Sequence, residues 1–210
     1  MPLQKRLSQS LAVPAFLSVA LVSSVACIPP EVDALVEVDA PSPMYRFQIA
    51  KHIRGSTLWR AYVEHLSTQR AGSDPVVAID VTFERTITDD IQTGDYDAGI
   101  VYADLSFREL ITGTTLLTDH DEFEIPNYVI AREDATRDEV QDEAFEVVEE
   151  KAVRSIRYSM DLALIRAMGQ AAERHPGFVS ALEEVRDSHW SVGLKQEAET
   201  ALATIGSPSM

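Results

Sequence analysis

VVAIDVTFERTIT (76–88), AGIVYADLSFRELIT (98–112) and TTLLTDHDEFEIP (114–126) follow one another in the chain, and their shared pattern decides the fold. In the first, Val77, Ile79, Val81, Phe83 and Ile87 alternate with Asp80, Thr82, Glu84 and Thr86. In the second, Val101, Ala103, Leu105, Phe107 and Ile111 share a face, and in the third Leu117, Phe123 and Ile125 do. Successive side chains of a strand point to opposite faces, so a period of two reads as a half-buried strand. The connections are a polar DDIQTGDYD (89–97) and a tight turn at Gly113. Three such strands in a row predict an antiparallel meander with one wet face. The other face needs a layer of helices.

The chain supplies that layer on both sides. From about Thr136 to Met168, apolar residues recur every three or four positions: Val140, Ala144, Val147, Val148, Ala152, Ile156, Met160, Ala163 and Ala167. Asp138, Glu139, Asp142 and Glu143 come early and Arg154, Arg157 and Arg166 late, as the helix dipole favours. RHPGF (174–178) interrupts this helix, and residues 178–205 continue as a weaker amphipathic stretch with Leu182, Val185 and Trp190. Upstream, GSTLWRAYVEHLSTQRAGSDP (55–75) predicts a helix capped by Ser56 or Thr57 and ended by Gly72 and Pro75. Leu58, Trp59, Tyr62, Val63 and Leu66 form its apolar face. MYRFQIA (44–50) alternates and predicts the first strand. The four-proline segment IPPEVDALVEVDAPSP (28–43) reads as a tether, with room for a short strand at Ala34–Val38. The expected fold class is α+β: a two-layer sandwich of a mainly antiparallel four-stranded sheet with two helices on one face, plus a C-terminal helical extension.

The N-terminus carries a different signal. Lys5 and Arg6 precede an apolar run from Leu11 to Val22, and the small residues Ser24 and Ala26 stand just before Cys27. This is the layout of a secretory signal peptide, too short in its apolar part to span a bilayer as a helix. Cleavage after Ala26 makes Cys27 the first residue of the mature chain. It is the only cysteine, so no intrachain disulfide is open to it. SVAC (24–27) resembles the bacterial lipobox, whose cysteine is acylated, although Ser24 stands where that motif usually has Leu. Ordinary signal peptidase would accept the same residues, leaving a secreted chain without lipid. Three acyl chains would anchor stably, each buried methylene adding about 0.8 kcal/mol. Ile28 rather than Asp at the second mature position favours the outer membrane. The expected organisation is a signal peptide at 1–26, a lipidated tether at 27–43, an α+β domain at 44–168 and the extension at 169–210.

Charge narrows the function. The net charge is −16, and it becomes −18 when residues 1–26, which hold two bases and no acids, are removed. Such a chain has little with which to neutralise phosphates, so nucleic-acid binding is not expected. Motifs for hydrolytic serine, HExxH zinc and phosphate-loop chemistry are absent, which points to a non-enzyme without cofactors. His120, Glu122 and Glu124 share one strand face and could hold a metal, but charge on an edge strand is the simpler reading. The 89–97 loop, set on an EF-hand, puts Ile91 and Ile100 at ligand positions and fails. The one basic island in the acidic chain is Arg46, Lys51, Arg54, Arg60 and Arg70, with two histidines and Glu64. It is a candidate surface for an anion or an acidic partner, unless it pairs with the protein's own acidic helix.

The stretches YDAGIVYADLSFRELITGTTLLTDHDEFEI (96–125) and AREDATRDEVQDEAFEVVEEKAVRSI (131–156) resemble the paired strands and the approach to the final helix of the LptE family of LPS-assembly lipoproteins. The likeness spans about Tyr96–Met160, with ITG at the tight turn; upstream, the order of elements alone matches. It implies an outer-membrane lipoprotein that plugs a β-barrel LPS translocon (LptD-like) and assists its assembly, with lipopolysaccharide as a further ligand. Only Cys27 carries over as a functional residue. The charge of −18 and the extension beyond Met168 depart from the family. Two other classes fit the same anchor and domain: another envelope adaptor (pilotin, synthase activator or secretion accessory), and a soluble periplasmic binding module.

Overall fold

A computed structural model describes residues 32–70, 72, 74–88, 98–125 and 137–206. The signal sequence, Cys27, the 89–97 connection and the 126–136 segment lie outside the described residues, as do the side chains of Ile87, Ile125, Asp138 and Val140. The meander forms as its period requires. β2 (Val77–Thr88) pairs antiparallel with β3 (Ala98–Glu109), Val77 opposite Glu109 and Thr88 opposite Ala98. β3 pairs antiparallel with β4 (Thr115–Ile125), and the register shifts next to Phe107 and Arg108. Gly113 closes the turn between them at φ 74°, a left-handed conformation that glycine adopts without strain.

The sheet is completed by β1 (Val36–Asp39), which joins the far side of β2 in parallel, Val36 opposite Val77. The sheet is therefore mixed, in the order β1-β2-β3-β4. A parallel neighbour needs a crossover. Two helices make it, α1 (Pro43–Gly55) and α2 (Thr57–Thr68). The predicted strand at 44–50 is thus corrected to helix. Tyr45, Phe47 and Ile49 alternate, but Tyr45, Ile49 and Ile53 are four apart, and those three are buried while Phe47 is 58% exposed. Ser42 decides between the two periods: its hydroxyl accepts from Tyr45 N, and Pro43 follows at the first helical position.

α3 (Arg137–Gly169) runs for 33 residues across β3 and β4 and also meets α1 and α2. Ala152, Ile156, Met160 and Ala163 bury as the spacing predicts, joined by Phe145, Val153, Leu164, Ile165 and Met168. Val147 is corrected to the outer face, 50% exposed. Asp119 and Asp121 lie on the same face of β4 as Leu117 and Phe123. Each accepts a hydrogen bond from α3, Asp121 from Ser155 at 3.1 Å and Asp119 from Ser159 at 3.0 Å. Inward carboxylates on an edge strand discourage pairing with another chain, and here the serines satisfy them. The acidic start of α3 draws in Arg85 of β2, whose Nε donates to the buried Glu149 at 2.7 Å while its guanidinium lies over Phe145. Tyr45 donates to the other oxygen of Glu149.

The weak C-terminal stretch is two helices, α4 (Pro176–Ser188) and α5 (Val192–Thr204). Phe178, Leu182, Leu194 and Ala198 belong to the same core as Trp59, Phe107 and Met160. α5 comes close enough to α3 that a Cβ on Gly169 would lie 2.8 Å from that of Ala201. Trp190 is corrected: it packs on no helix face but stands 85% exposed between α4 and α5. No helix among the described residues is long and apolar enough to cross a membrane.

Candidate ligand cleft

Ser56 makes the corner between α1 and α2. Its N–H donates to Ile53 O, ending α1, and its hydroxyl accepts from Trp59 N, starting α2. Together with the middle of α3 and the α4–α5 junction, this corner encloses an open cleft of about 630 Å³. Ligand sites commonly span about 300–1,000 Å³. Leu58, Ile165, Val185 and Leu194 give it an apolar lining, while Lys51, His52, Arg157 and His189 bring positive or protonatable groups. Phe47 and Trp190 line it as exposed aromatics, and Asp161 and Glu184 are its two acids. An adjoining hollow of about 280 Å³ extends it towards Arg154 and Tyr158.

Asp161 organises the floor. It is buried, and one oxygen, Oδ1, accepts from Trp59 Nε1 at 3.0 Å and lies 2.9 Å from His52 Nε2. His189 Nδ1 accepts from Ser191 N at 3.0 Å, and the His189 ring stacks on Trp190. Ser191 caps α5, accepting from Leu194 N. A Cβ on Gly193 would sit 2.6 Å from the Tyr158 hydroxyl, so a larger residue there would displace the Tyr158 side chain. Burial, with Arg154 alongside, lowers the Arg157 pKa, and Asp161 opposes the shift. Ser56 and Ser188 also line the cleft. The Ser56 hydroxyl accepts from Trp59 N and the Ser188 hydroxyl donates to Glu184 O.

Most described arginines away from the cleft have an acidic partner. Arg46 pairs with Asp39, Arg70 with Asp74, Arg108 with Asp80, Arg166 with Glu197 and Arg186 with Asp187. Lys51, Arg154 and Arg157 form no hydrogen bond or close ion pair with another described residue. The predicted basic island lies on α1 and α2, with Arg70 just beyond. Lys51 alone of Arg46, Lys51, Arg54 and Arg60 lines the cleft. Arg46 meets β1, Arg54 Nε donates to Ala50 O, and Arg60 is exposed on α2. Arg154, Arg157, Asp161, His189 and Trp190 escaped the sequence reading. The spacing of Arg154, Arg157 and Asp161, which places them along one helical stripe, was the available signal.

Two other histidine clusters are accounted for locally. His120 Nδ1 lies 2.7 Å from Asp104 on the open face of the sheet, stacked on Tyr102, and the Asp104 hydrogen bond raises its pKa. Among the described residues, no group of three or more His, Cys, Asp and Glu side chains is placed to hold a metal. His65 packs edge-on to His175 and Phe178 and accepts from Gln69 at 3.0 Å. Burial first, then His175, lowers its pKa, against smaller pulls from Glu109 and Glu173. The unfolded chain therefore takes up the proton first as pH falls below about 6.5. His65 should cost stability as pH falls below about 6.5, and His65→Phe should remove that component from the pH dependence. A melting temperature as steep in pH for the variant as for the parent would contradict this.

No family model matches the sequence, and no curated protein does. A solved structure from Caulobacter crescentus CB15, a "putative lipoprotein", is similar at 12% identity and a TM-score of 0.30. The match covers 63% of this chain and 89% of that one. A TM-score that low does not establish a shared fold.

Proposed function

We propose that the chain is a lipid-anchored protein of the outer membrane whose domain binds a target without transforming it. The observation that carries this is the position of its only cysteine, directly behind the small-residue end of a secretory signal. The finer reading is a plug and assembly partner of a β-barrel LPS translocon. The order β1, α1–α2, β2–β4, α3 supports it, since it fits the two-layer domain that the LptE resemblance implies. Cys27→Ser should move the protein from the membrane to the soluble periplasmic fraction and abolish palmitate labelling. Retention of the variant in the membrane fraction would refute the anchor. A pull-down of the wild-type protein that recovers an outer-membrane barrel supports the finer reading. A second reading, an envelope ligand-binding module, is favoured by the cleft; recovery of ligand without any barrel would select it.

A further inference from the structure

We infer that the cleft is a binding site for one amphiphile carrying a phosphate monoester head on an apolar chain. The inference rests on the cleft alone and needs neither the anchor nor the barrel. The first argument is charge. In a chain with 34 acids and 18 bases a guanidinium commonly finds a carboxylate, as six arginines elsewhere do, the exposed Arg60 and Arg174 being exceptions. Arg157 of α3 lines both the cleft, which it shares with Lys51 of α1, and the adjoining hollow, which it shares with Arg154, and none of the three forms a close ion pair with a described carboxylate. Arg157 is only partly exposed and has Arg154 beside it, and the carboxylate that acts on it is Asp161, whose Oδ1 also serves Trp59 and His52, so one acid faces two guanidiniums. Guanidinium forks match phosphate oxygens, and lysine adds a point charge.

The second argument is the remainder of the lining. A site for a bare ion needs no apolar surface, yet Leu58, Ile165, Val185 and Leu194 line the same space. Trp190 is held at its mouth on the short link between α4 and α5, stacked on His189 rather than buried. An exposed tryptophan beside a charged hollow suits a ligand with one wet and one apolar end. A volume of about 630 Å³ accommodates one chain and its head group rather than a bilayer patch.

The test uses the secreted full chain carrying Cys27→Ser, so that no detergent competes for the cleft. Calorimetric titration with octyl phosphate is compared with octyl glucoside and with inorganic phosphate. Octyl phosphate should bind about tenfold or more tightly than either, since charge-assisted hydrogen bonds and apolar contact are both required. Trp190 emission should shift to the blue as it binds. Lys51→Gln with Arg154→Gln should weaken binding about tenfold at an unchanged melting temperature. Trp190→Ser, at an exposed position, should weaken it as well. Equal affinity for octyl phosphate and octyl glucoside overturns the inference, as does a double variant that binds like the parent. So does binding to phosphatidylglycerol vesicles with none to octyl phosphate, which would make the rim a membrane-docking surface.

Discussion

Phe107→Ala should lower the stability of the domain by about 3–5 kcal/mol, the range for emptying a packed aromatic site. Phe107 has no exposed surface and lies opposite Ile79 on one neighbouring strand and Leu117 on the other. Its ring meets Trp59 of α2 with centroids 5.2 Å apart. The side chain thus joins the sheet to the helical layer, and no neighbour can collapse into the space without moving a strand or a helix. Domains of this size are stable by about 5–15 kcal/mol, so the variant should be close to unfolding. The urea midpoint should fall sharply with an unchanged slope. A midpoint within experimental error of the parent would mean that sheet and helices do not share this core.

The meander was legible because each of its strands buries one face, which leaves a period of two in the residues themselves. The same rule misread 44–50. Tyr45 and Ile49 satisfy periods of both two and nearly four, and only Phe47 separates them, by being exposed in the helix. The Ser42–Pro43 start signal was in the sequence and outweighs seven residues of alternation. β1 was half visible. Four residues among prolines carry little pattern, and the pairing with β2 that holds them is not local. The cleft was the least legible part. His52 and Asp161 meet across 109 residues, and Trp190 reaches the same space from a third segment. Counting charge along the chain found Lys51 but gathered it with Arg46 and Arg60, which the helices carry elsewhere. Arg154 and Arg157 looked like helix-dipole complements, because nothing local showed that they would line a hollow without a close ion pair.

Asp161→Ala should cost about 2–3 kcal/mol, because a buried donor left without an acceptor bears the desolvation that its hydrogen bond had offset. Trp59 is fully buried and its indole N–H has Asp161 Oδ1 as acceptor, so truncation strands it. His52 loses the same oxygen. Asp161→Asn keeps an amide oxygen that can accept from Trp59 and should cost about 1 kcal/mol. The pair should be non-additive: Trp59→Phe removes the orphaned donor, so it should destabilise the Asp161→Ala background less than the parent. Equal costs in both backgrounds would show that the hydrogen bond contributes nothing beyond packing. Affinity should move the other way from stability. Asp161 is the carboxylate whose field opposes the Arg157 shift, and removing its charge leaves the cleft more positive. Asp161→Asn should therefore bind octyl phosphate more tightly while melting slightly earlier. A variant that melts earlier and also binds more weakly would mean that Asp161 shapes the cleft instead of moderating its charge.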